Sequence, residues 1–171
     1  DRHVALAVLD QCASPLVEEH QIPPNQPSGP NSGPAELPVN EAEDLLLTYL
    51  LSAGFPQPEC GRSIPLPRPY QTTWPDFFYT DDDTEGLCIY LDGLSAHIHG
   101  NPATKQRDQE MRQLLEADGY DVFSITYTKL FDQGAVAAFL KRVAKSLIGK
   151  DGATRVTQDT AWFEAARAVS L

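Results

Sequence analysis

The chain has 171 residues, 42% of them hydrophobic, and carries 13 Lys and Arg against 24 Asp and Glu for a formal net charge of −11. That length supports one domain with a real core, and no apolar run reaches the roughly 18 residues a membrane span needs. The acidity argues against a free-standing nucleic-acid binder, because phosphate contacts need Lys and Arg. Nuclease chemistry survives it only if metal ions or a neighbouring basic domain supply the compensating charge.

The chain opens Asp1-Arg2-His3 rather than with Met and shows no signal peptide, as expected of a fragment or a processed chain. Residues 1–20 carry a helical apolar pattern (Val4, Leu6, Ala7, Val8, Leu9, Cys12) and read as the end of a preceding region. Residues 21–39 are rich in proline and glycine and nearly lack apolar side chains, so they read as a linker. A domain is expected over 40–150. Asn40 is placed to cap its first helix, with Glu41, Glu43 and Asp44 in the first turn, where the helix dipole favours acids. Leu46, Leu47, Leu50 and Leu51 recur at helical spacing, and Gly54 ends the run. Strand potential over 60–66 is broken by Pro65, Pro67 and Pro69. Residues 74–79 and 87–91 read as two strands of a hairpin joined by the turn TDDDTEG. LCIYL is apolar enough for a central buried strand. After the loop SAHIHGNPAT, residues 104–118 form an amphipathic helix with Met111, Leu114 and Leu115 on one face, stopped at Gly119. Residues 120–127 alternate as a strand, with Val122, Ile125 and Tyr127 facing inward. A helix follows over 135–147, ended by Gly149. Residues 151–171 form a C-terminal helical extension, with a short helix over 159–169 that docks through Trp162 and Phe163. The predicted order is αβββαβ, a mixed α/β sheet flanked by helices.

The chemistry concentrates in the middle of that order. Asp76 opens one strand and Asp92 ends the next, so a hairpin brings both to one end of the sheet if its register allows. Two carboxylates there make a hard oxygen site suited to Mg²⁺ or Mn²⁺. Such an ion polarises a phosphoryl oxygen and lowers the pKa of a bound water. His97 and His99 in the following loop titrate near neutrality and suit proton transfer. Glu43 on the first helix offers a third carboxylate. Each residue also has a plainer role: Asp-Gly after a strand is most often a turn, loop histidines are often solvated, and acids at helix starts (Glu43, Asp108) serve the dipole. No GxSxG, P-loop or GxGxxG is present to support another hydrolase or nucleotide-binding class. The cysteines Cys12, Cys60 and Cys88 lack metal-type spacing and are odd in number, which fits ordinary thiols in a reducing, cytoplasmic setting.

The segments PDF, YLDG, a His soon after, the Arg107-Asp108 pair at the front of a helix and L-x-x-x-G-Y-x-V before the last strand occur in order. This set resembles the core of the very short patch repair (Vsr) endonucleases and their relatives in the PD-(D/E)xK restriction-endonuclease-like superfamily. It is most similar to nuclease-like domains at the C-terminal end of large bacterial superfamily 2 helicases, some linked to phage defence. The upstream EAEDLLLTYLLSAGF is similar to the helix that precedes the core there. The resemblance covers about residues 40–128. It implies a metal-dependent DNA endonuclease with Asp76 as the central metal-binding aspartate and Asp92 as the strand-end acid. It further implies His97, with His99 as a second candidate, as the catalytic histidine, Glu43 as the helix acid, and Asp108 with Arg107 in support. DNA and other parts of a helicase or defence complex are the implied partners; a membrane is not.

The sequence departs from that pattern at two places. Asp92 is followed by Gly93 and Leu94, so the family's Lys two residues after the acid is missing. Tyr90 stands where many relatives have an acid. Either His97 takes over the missing Lys's role, as in the repair enzymes, or the domain is a catalytically silent module that keeps the fold for DNA contact or assembly.

Overall fold

A computed structural model of the protein describes residues 39–93 and 102–169. The predicted helix over 1–20 and the linker lie outside those residues. Helix α1 (Val39–Ser52) follows the leucine spacing; Ala42, Leu45, Leu46, Tyr49 and Leu50 are all buried, the inward stripe of an amphipathic helix. It starts at Val39, so Asn40 sits inside the first turn instead of capping it. The helix ends where Phe55 N–H donates to Leu50 O (3.1 Å) and Gly54 N–H to Leu51 O (3.0 Å), the paired bonds of a Schellman closure.

The predicted strand over 60–66 shrinks to β1 (Ile64–Pro65), which pairs antiparallel with β2 (Thr72–Thr73) in a ribbon separate from the main sheet. Prolines 65, 67 and 69 remove the N–H donors that a longer ladder would need. The main sheet has three strands in the order β3 (Phe77–Tyr79), β4 (Leu87–Asp92), β5 (Asp121–Thr126). The β3–β4 pair is the expected antiparallel hairpin, with Phe77 opposite Ile89. Strand β3 is shorter than the predicted 74–79. Strands β4 and β5 run parallel, Leu87 opposite Asp121 through Asp92 opposite Thr126, and helix α2 (Pro102–Ala117) lies between them in sequence. The architecture is mixed α/β with a small mixed sheet.

Strand alternation sends side chains to two cores. Phe77, Tyr79, Leu87, Ile89, Leu91 and Ile125 join the α1 leucines in the larger one. Phe78 and Cys88 join Leu115 of α2 and Ile64, Leu66 and Tyr70 of the ribbon in the smaller one. Cys88 is a buried free thiol, and burial pushes its pKa up to about 12. Cys60 is disulfide-bonded, a departure from the expectation of free thiols.

After β5 a 3-10 turn (Tyr127–Phe131) leads into α3 (Gln133–Leu147), whose first turn is capped by the Asp132 carboxylate accepting from Ala135 N–H at 3.1 Å. Helices α4 (Gly149–Gln158) and α5 (Ala161–Val169) then fold back on the body. Ala153, Val156, Trp162, Phe163 and Ala166 are buried in the larger core. The Tyr49 ring stacks on Phe163 and meets Trp162 edge-on, with centroids at 5.3 and 5.8 Å. Its hydroxyl donates to Leu130 O at 3.0 Å, and Trp162 Nε1–H donates to Val156 O at 3.1 Å, so both large aromatics bury their bulk with their polar atoms satisfied. Among the described residues no helix is long and apolar enough to cross a membrane.

Candidate active site at the end of the sheet

Because β3 and β4 are antiparallel, the residue before β3 and the last residue of β4 fall at the same end of the sheet. That end carries Asp76 and Asp92. Strand β3 begins only at Phe77, so β4 outruns its partner, and the Asp76 Oδ2 carboxylate oxygen takes the Leu91 N–H at 2.6 Å in place of a ladder carbonyl. Burial raises the Asp76 pKa to about 6. The Leu91 N–H lowers it, the Asp92 charge raises it again, and the Arg112 charge lowers it. Glu43 reaches the same region from α1. Its pKa is raised to about 7, first by burial and then by the charges of Asp76 and Asp44. Asp76 therefore feels the charge of Asp92 on one side and is felt by Glu43 on the other.

Asp92 lies on the α2 side of the sheet, in alternation with Cys88 and Tyr90. There it meets Arg112, which the sequence reading did not single out. The Arg112 guanidinium forks onto both Asp92 oxygens, Nη1 to Oδ2 at 3.1 Å and Nη2 to Oδ1 in a shorter contact. Nη1 also donates to Ser124 Oγ on β5 at 3.1 Å, and the guanidinium lies 5.3 Å from the Tyr90 ring centroid. The Tyr90 hydroxyl is bonded to Thr73 Oγ1 at 3.0 Å. A helix thus delivers a cation to Asp92. Its only sequence signal was an Arg on the turn between Asp108 and Leu115, the residue that docks α2 on the sheet.

The remaining candidates divide. Asp108 is half-buried in the second turn of α2, one helical turn before Arg112. Arg107 is exposed and lies 5.6 Å from the Tyr70 ring, in a cleft with Pro69, Gln106 and Glu110 on the ribbon side; Glu43, Asp76 and Asp92 do not line that cleft. His97 and His99 lie outside the described residues. Among the described residues no group of three or more His, Cys, Asp or Glu is placed to hold a metal ion. The chemistry of the donor set still suits one: Glu43 and Asp76 are carboxylates whose pKa values are raised by burial and by a neighbouring acid, and a cation is what would reverse that. Asp92, with both oxygens on Arg112, would join only if the fork opened.

No family model, curated protein or solved structure matches the chain.

The Arg112 fork is a two-point, charge-assisted contact. The two side chains are 25% and 34% exposed, between a surface pair and a buried one. Arg112→Ala leaves Asp92 half-buried and unpaired, and urea denaturation is expected to show a loss of roughly 1–3 kcal/mol. Arg112→Lys restores the charge but not the planar fork, and is expected to recover less than half of that. The exposed Glu59–Arg62 pair (3.4 Å) is the control: Glu59→Gln is expected to stay within about 0.5 kcal/mol of wild type.

Proposed function

We propose that this chain is a restriction-endonuclease-like domain that hydrolyses DNA phosphodiester bonds with Mg²⁺ or Mn²⁺, as part of a larger helicase or phage-defence protein. The observation that supports the reading is that Asp76 and Asp92 share one end of the sheet, with Glu43 coupled to Asp76 and Arg112 bonded to Asp92. Asp76 and Glu43 are the residues that would hold the ion, which supplies charge neutralisation at the phosphoryl oxygens and a more acidic water. As a ligand Glu43 would be held ionised, so the proton of the attacking water would pass to solvent. Arg112 offers N–H donors matched to phosphate oxygens. In this reading it stabilises the charge that builds on the phosphoryl group, and His97 or His99 protonates the leaving oxygen.

Cleavage of plasmid and oligonucleotide DNA with Mg²⁺ or Mn²⁺ tests this. Wild type is expected to cut, and Asp76→Ala to lose at least a hundredfold in rate; cleavage unchanged by that substitution removes the assignment. A second reading, a silent module of the same fold, is favoured by the commitment of both Asp92 oxygens to Arg112. Calorimetry separates the two, since a silent module takes up no Mn²⁺ while the enzyme binds it in an Asp76-dependent way.

A further inference from the structure

Beside Asp92, on the side of β5 and α3, the surface forms a cavity of about 550 Å³ whose lining includes Asp92, Ser124, Thr126, Lys129, Lys141 and Arg142. It opens at the ends of the parallel strands β4 and β5, where Asp92 and Thr126 are the last paired residues. Its charge is opposite to that of the chain. Three exposed cations, Lys129 from the 3-10 turn and Lys141 and Arg142 from α3, line it, against a single acid. That acid, Asp92, is already neutralised by Arg112. None of the three cations makes an ion pair among the described residues. Ala135 and Ala138 line the same face of α3 as Arg142, so their small side chains leave the space open. In a protein of net charge −11, three cations around one concavity, with no acid partner among the described residues, form a local field suited to an anion. The hydroxyls of Ser124 and Thr126 add neutral donors of the kind that contact phosphate oxygens.

We propose that this groove binds the sugar–phosphate backbone of a DNA strand and leads it to the Asp76–Asp92 end of the sheet. The proposal rests on the nuclease reading for its direction, but its own claim is binding. The cations sit on two elements and meet the carboxylate end at Asp92, so a backbone lying across them passes next to Arg112. Contacts of this kind hold phosphate without reading sequence.

The test is fluorescence anisotropy of a labelled 20-nucleotide DNA, single-stranded and duplex, titrated with the full chain in EDTA so that no cleavage intervenes. The Lys141→Glu/Arg142→Glu double variant is expected to weaken binding at least tenfold and to flatten the dependence of log K on log salt by about 2, one unit per lost phosphate contact. Lys150→Glu/Arg155→Glu on the exposed face of α4 changes the net charge equally and is expected to weaken binding less than threefold. Equal losses in the two double variants, or no loss in the first while circular dichroism shows it folded, overturn the groove. Wild type that binds through the groove but never cuts refutes the nuclease reading and leaves the groove standing. Wild type that cuts while Lys141→Glu/Arg142→Glu binds and cuts unchanged refutes the groove alone.

Discussion

Gly86→Ala is expected to destabilise the protein by roughly 3–5 kcal/mol, read as a shift of the urea midpoint at unchanged m-value. Gly86 closes the β3–β4 turn at φ +130°, where an added Cβ would lie 2.2 Å from Phe78 Cζ and 2.6 Å from Cε2, with Tyr79 O at 3.1 Å. Side chains rarely adopt that backbone conformation, and the neighbouring ring has nowhere to go. Phe78 is buried in the smaller core with Cys88, Leu115 and Tyr70, so moving it opens one void while filling another. The Gly86 backbone is committed as well: its N–H donates to Thr84 Oγ1 at 3.1 Å and its carbonyl accepts from Asp121 N–H at 3.0 Å. The turn that sets the hairpin register is therefore also tied to the neighbouring strand. Gly54→Ala separates strain from clash. It has a positive φ but nothing within 4 Å of a new Cβ, and about 1 kcal/mol is expected there.

The second large effect concerns pH. In the presence of a chelator, wild-type stability is expected to fall as pH rises from 5 to 8. Asp76 and Glu43 are held above their unfolded values, at about 6 and about 7, so between roughly pH 4 and 7 the folded state binds more protons than the unfolded one. The stability this gives is complete below the unfolded pKa and is lost as pH passes through the folded one. For Asp76, buried deeply enough that screening is limited, about 2 pKa units amount to roughly 3 kcal/mol; Glu43 contributes less because solvent reaches it. Asp76→Asn keeps an acceptor for Leu91 N–H and loses the charge. It is expected to be more stable than wild type at pH 8 by about 1–3 kcal/mol, with a flatter pH profile. Millimolar Mn²⁺ is expected to raise wild-type stability at pH 8 and to leave Asp76→Asn unmoved. A wild-type curve that Mn²⁺ does not shift would take the metal out of the proposed function.

Sequence periodicity located the elements whose burial is one-sided. LCIYL, the alternation after Gly119 and the leucines of α1 each report one face against one core. The ribbon was misread because two-residue strands leave no periodic signal, and prolines made the region look like an interrupted strand of the main sheet. Helix α4 falls largely within the helical extension expected over 151–171 but starts at Gly149, the residue expected only to end the helix before it; the missing side chain of Gly152 lets it pack on Ile148, where a Cβ would come within 2.3 Å. Asp76, Asp92 and Glu43 could be nominated because strand ends and helix starts are visible in the chain. Arg112 could not, because its role depends on which face of α2 meets which face of β4. The same holds for Lys129, Lys141 and Arg142, ordinary solvated charges until the turn after β5 sets them around one cavity.

The clasp of α5 on α1 also has a consequence during synthesis. Tyr49 is made early, but its ring partners Trp162 and Phe163 come from the far end of the domain. At roughly 5–20 residues per second, that gap lasts on the order of ten seconds on the ribosome. Once β5 has been made, α1 and the sheet can associate, while the apolar flank destined for α5 stays open to solvent until Trp162 follows. The nascent domain is therefore at its stickiest just before completion. Stalling upstream of Trp162 is expected to give a chain that recruits chaperones, and release of the last helix to end that recruitment.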